Sequence, residues 1–131
     1  MEISKRTKRI LDIAKKTAKN SEHDCFKHGA VLIKGGSVLN VAYNKQQFNR
    51  FGNRFRDRSC GHATHHAELG AVLGLDKNLT QGATIYVVRV NKEGVFRNSK
   101  PCDMCHEVLK FVGVKKAIYT TGADSVNKIR L

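Results

Sequence analysis

The chain's single proline, Pro101, stands immediately before Cys102, and a second thiol, Cys105, follows three positions on. The run DMCHEVLKFVG reads as a helix, with Val108, Leu109 and Val112 on one face and Gly113 closing it. Two thiols at this spacing can share one Zn²⁺, and a helix start, with its exposed N–H groups and its dipole, favours thiolate. One such pair is only part of a ligand set. The fold must therefore bring other donors to that helix end. A redox pair is the alternative use of the spacing, but no strand runs directly into the motif, as it does in a thioredoxin-like unit; the basic connection NKEGVFRNSK intervenes.

The elements that can supply the remaining donors follow from periodicity. Ile3, Thr7, Ile10, Leu11, Ala14 and Ala18 share one face at helical spacing, which predicts an amphipathic helix from about Ser4 to Asn20. AVLIKGGSVLNVAYN reads as two strands turning at Gly35 and Gly36. The polar, basic and aromatic stretch KQQFNRFGNRFRDRSCG, from Lys45, is irregular and reads as a long functional loop. ATHHAELGAVLGL reads as a helix with Leu69, Val72, Leu73 and Leu75 inward, and ATIYVVRV and KKAIYTT read as strands. After Gly122 too little chain remains for a crossover and a parallel strand, so VNKIRL is expected to return as an antiparallel hairpin.

A chain of 131 residues with this patterning predicts one domain over residues 1–131. The charged start MEISKRTKRI holds no apolar signal core, and no apolar run approaches the length of a membrane span, so an intracellular, cytoplasmic protein without a membrane partner is the expectation. Cys25, Cys60, Cys102 and Cys105 are read as metal or catalytic thiols rather than disulfides, because a chain that is 40% hydrophobic needs no staples.

His66, Ala67 and Glu68 supply what the thiol pair lacks: a histidine able to ligate zinc and, two residues on, a carboxylate able to exchange protons with an activated water. H-x-E followed, after a strand, by P-C-x-x-C is the zinc deaminase pattern. In HAE and PCDMC the chain resembles the cytidine deaminase superfamily, and the resemblance covers nearly all of it. It implies an α/β fold of three layers, α-β-α, around a mixed sheet of about five strands, to which the short chain after Gly122 adds the expectation that the last two form an antiparallel hairpin. It implies Zn²⁺ held by His66, Cys102 and Cys105, with Glu68 as the catalytic proton carrier in hydrolytic deamination. Spacing to Glu68 selects His66 over His65 as ligand. Cys60 and His62 are candidates for a second metal or for a solvated loop. The resemblance further implies a homo-oligomer.

Substrate contacts follow from smaller matches. FKHGAVLI resembles the free cytidine deaminases in a phenylalanine that lines the base pocket, making Phe26 a candidate wall. AYNK makes Asn44 a candidate sugar contact, while Ala67 and Pro101 fall within the motifs that border the base. Gln46 stands where nucleoside enzymes carry a glutamate, and His66 where they commonly carry cysteine; histidine there is usual in the deoxycytidylate, tRNA adenosine and polynucleotide branches. The formal charge of +13 predicts a phosphate-bearing partner. Arg54, Arg56, Arg97 and Lys100, with Lys45, Arg50 and Arg58, are placed for a substrate phosphate. The expected partner is a small nucleotide of the CMP, dCMP or dCTP kind. Single-stranded DNA or RNA is the alternative, since Phe48, Phe51 and Phe55 interleave with the arginines as in strand-binding channels. A noncatalytic nucleic-acid-binding zinc domain is the third reading, against which the intact Glu68 argues.

Overall fold

A computed structural model describes residues 4–21, 27–48, 64–65, 67–72, 74–91, 93–123 and 125–131, with the backbone alone at 45–48, 64–65 and 69. Helix α1 spans Lys5–Ala18, and Ser4 starts it: the residue is extended, and its hydroxyl accepts the Thr7 N–H at 3.1 Å. One stripe of the helix, Ile10, Leu11, Ala14 and Ala18, is buried. Strands β1 (Lys27–Lys34) and β2 (Ser37–Tyr43) pair antiparallel around Gly35 and Gly36, whose φ values of 60° and 81° suit the twist of a two-residue hairpin turn.

Strands β3 (Lys45–Phe48) and β4 (Thr64–His65) form a separate antiparallel pair. Helix α2 (Ala67–Val72) and the single turn α3 (Lys77–Thr80) lead to β5 (Thr84–Val90) and the short β6 (Phe96–Arg97). Helix α4 (Asp103–Phe111), β7 (Lys116–Gly122) and β8 (Ser125–Arg130) complete the described elements. The main sheet runs β2-β1-β5-β7-β8, with β6 also on β5. Only β5 and β7 are parallel among the described pairs, and α4 lies in their crossover. The sheet is mixed, and its last two strands are the expected hairpin.

Strand alternation divides the core into two layers. Ala30, Leu32, Ile85, Val87, Ala117 and Tyr119 pack with α2 and α4, whereas Val31, Ile33, Tyr86, Val88, Val90 and Ile118 pack with α1. Each fully buried aliphatic side chain contributes about 1.5–3 kcal/mol, so the period-2 pattern fixes the strand register strongly. Gly29 lets α1 approach β1: a Cβ there would stand 2.9 Å from the Ala18 nitrogen and nearer still to the Ala14 carbonyl oxygen.

Three details differ from the sequence reading. The segment read as an irregular loop begins with β3, which finds a ladder partner in Thr64 and His65. Those two residues are therefore strand, and α2 starts only at Ala67. Strand β6 folds back on β5, with the Asn91 side chain accepting the Glu93 and Val95 N–H groups at the turn, each at 3.0 Å. Phe26, Arg54, Arg56, Cys60, His62 and His66 lie outside the described residues. No helix among the described residues is long and apolar enough to cross a membrane.

Candidate active site

Helices α2 and α4 both start at one end of the sheet. Glu68 is in the first turn of α2 and only 5% exposed, and Cys105 is in the first turn of α4 and fully buried. Cys102 is the N-terminal flanking residue of α4, half-buried and extended at φ −69° and ψ 169°. Cys105 is the hub: its side chain interacts with both Cys102 and Glu68. Hydrogen bonding with Cys102 is the largest cause holding the Cys105 thiol well above the ordinary thiol range; burial and the Glu68 carboxylate add to it.

That arrangement fits a metal. In the metal-free chain, Cys105 keeps its proton because two electron-rich neighbours and a dry surrounding oppose a thiolate; a divalent cation would outweigh that opposition, since the groups that repel a thiolate attract a cation. Among the described residues no group of three His, Cys, Asp or Glu side chains forms a ligand set. The third donor expected from sequence, His66, falls outside them. Its neighbour in the chain, His65, pairs in β4 with Lys45, the residue after Asn44.

Asn44 is at the same end. Its side-chain oxygen accepts the His28 N–H at 2.9 Å, and its own N–H donates to the His28 carbonyl at 3.3 Å. Ala67 and Pro101 are buried within the two motifs, while Arg97 and Lys100 are exposed on the segment that leads to Cys102. The structure thus gathers Glu68, Cys102 and Cys105 and sets Asn44, Arg97 and Lys100 at the same end of the sheet.

Two anchors of this site were missed by sequence reasoning. Ser99, 2% exposed, donates its hydroxyl to the Val87 carbonyl at 2.7 Å and receives the Thr120 N–H at 2.8 Å. It fixes the backbone two residues before Pro101 to the middle of β5 and to the second half of β7. Asn40, on β2, donates from its amide to the Gly70 and Ala71 carbonyls at 3.3 and 3.2 Å, satisfying oxygens at the end of the short α2. Asn40 had a readable signal, as a lone amide within the apolar run SVLNVAY; Ser99 had none.

Comparison with known proteins gives the same answer as the geometry. The family model described as the cytidine and deoxycytidylate deaminase zinc-binding region matches residues 4–121. No curated protein sequence matches the chain. Among solved structures, the chain is similar to apo dCMP deaminase from the cyanophage S-TIM5, at 20% identity and TM-score 0.59, over 89% of this chain and 83% of that one. A mutant cytidine deaminase from Mycobacterium tuberculosis aligns at 23% identity and TM-score 0.53, over 86% of this chain and 82% of that one. Acinetobacter baumannii RibD aligns at 20% identity and TM-score 0.57 over 89% of this chain but only 28% of its own length. At these identities the structures speak to the fold, while the match to the zinc-binding region extends through both motif segments. The chain belongs to the cytidine and deoxycytidylate deaminase family, and is a zinc-dependent hydrolytic deaminase.

Proposed function

We propose that the chain converts cytosine to uracil in a small phosphorylated substrate of the CMP or dCMP kind, with Glu68 carrying the proton. The observation that carries this reading is the buried Glu68 carboxylate in contact with Cys105, which is itself hydrogen-bonded with Cys102. His66, Cys102 and Cys105 would hold the zinc, which would supply the Lewis acidity that makes water nucleophilic near neutral pH.

Glu68 takes a proton from the attacking water and returns it to the ring nitrogen as the new C–O bond forms. The same carboxylate then carries the proton of the newly added hydroxyl to the amine, so that the carbonyl forms, the C–N bond breaks and ammonia leaves. Burial keeps Glu68 away from bulk water, which sharpens its proton exchange with the substrate. The Asn44 amide, oriented by the His28 N–H, meets the sugar, and Ala67, Phe26 and Pro101 border the base. A dCMP deaminase among the similar structures was solved with dCMP and dUMP, which supports a nucleotide for this chain as well.

The charge of +13 supports a second reading, deamination within single-stranded nucleic acid. Incubating zinc-loaded protein with cytidine, CMP, dCMP, dCTP and cytosine-containing oligonucleotides, and following uracil formation, separates the two. Conversion of monomeric nucleotides with oligonucleotides untouched is expected. Conversion of oligonucleotides alone would overturn the small-molecule reading.

A further inference from the structure

Three basic residues stand side by side across the site end of the sheet. His28 on β1 is in register with Arg89 on β5, and Arg89 is in register with Arg97 on β6. Directly paired residues of an antiparallel ladder project to the same face. On β5 that face is fixed by parity: Ile85 and Val87 pack with α2 and α4, so Arg89 follows them onto the face that carries Glu68 and Cys105.

Position along the strand agrees. Val87 is tied by the 2.7 Å bond from Ser99 to the segment entering Pro101 and Cys102. Arg89 lies two residues beyond that tie, and the His28 backbone beside it holds Asn44 at 2.9 Å. The row therefore runs from the proposed sugar contact, past Arg89, to the approach of the thiol pair.

Arg89 is half-buried and stands directly opposite Arg97 in the ladder. An anion lying over the pair would accept forked, charge-assisted hydrogen bonds of the kind guanidinium makes to phosphate. We propose that Arg89, with Arg97 opposite it and His28 at its other side, recognises the 5′-phosphate of the substrate. This rests on the deaminase reading of the site and deepens it. Arg97 is an exposed partner; Arg89, set in the sheet, gives the phosphate a fixed position relative to Glu68.

The test is binding of product, which needs no turnover. Zinc-loaded parent, Arg89→Gln and Arg97→Ala proteins are titrated calorimetrically with dUMP and with deoxyuridine, and zinc content and thermal unfolding are recorded for each. The parent is expected to bind dUMP more tightly than deoxyuridine. That preference should fall about tenfold to a hundredfold in Arg89→Gln, the range expected for lost hydrogen bonds to a charged group, and by less in Arg97→Ala. A parent that binds both ligands equally overturns the inference. So does a preference left intact in Arg89→Gln, or, should that variant not fold, left intact in Arg97→Ala. Turnover of any cytosine compound by the parent tests the deaminase reading separately.

Discussion

The Ser99 and Thr120 hydroxyls lie 2.9 Å apart in the interior, one on the segment entering the thiol motif and the other on β7. Around them the Ser99 N–H donates to the Thr120 carbonyl at 2.8 Å, and the Thr120 hydroxyl donates to the Arg97 carbonyl at 2.6 Å. The pair is a latch. It joins three backbone segments where α4 is about to start.

Ser99→Ala would strand the Val87 carbonyl and the Thr120 N–H from their hydroxyl partner, at a cost of about 1–3 kcal/mol. Because the two hydroxyls share one network, Ser99→Ala with Thr120→Val should cost less than the two single changes added together. Urea unfolding of the three variants measures this. Additive losses would contradict a coupled latch.

Gly29→Ala should be among the most damaging single-methyl changes in the chain. The added carbon meets backbone atoms of Ala14 and Ala18, which no rotamer change can move, so α1 must lift from β1. A loss of about 1–3 kcal/mol is expected, read as a lower urea midpoint. Asn40→Ala should cost about 1–2 kcal/mol through the unsatisfied Gly70 and Ala71 carbonyls. Because those oxygens cap the helix that bears Glu68, it should also lower kcat more than it raises KM.

Zinc uptake should depend on pH in a known direction. The Cys105 thiol is held protonated in the metal-free chain and must lose that proton to ligate. Below its raised titration, apparent zinc affinity should therefore rise with pH, by about tenfold per unit for each proton released. Competition with a chromogenic chelator across several pH values checks the slope. A flat profile would mean that Cys105 does not bind as thiolate.

Much of this could be read from the residues. The α1 stripe, the Gly35–Gly36 hairpin and the returning last strand are local or parity patterns, and each appears as expected. The HAE and PCDMC motifs found the meeting of Glu68 with the thiols because both mark helix starts. What escaped was non-local. Nothing in NKEGVFRNSK announces that Arg97 will pair with Arg89, or that Ser99 will reach Val87, since both depend on how far β5 runs before the chain turns back. The β3–β4 ladder was equally hidden, because its four- and two-residue strands are too short to show a period.

The most direct test of the proposed chemistry is ammonia release by zinc-loaded Glu68→Gln protein beside the parent, with zinc content measured in both. Removing the proton carrier while keeping an isosteric side chain should leave zinc bound at the parent's stoichiometry and lower kcat by about 10²–10⁴-fold, the usual worth of a positioned acid–base group. Turnover at the parent's rate by Glu68→Gln would contradict the account.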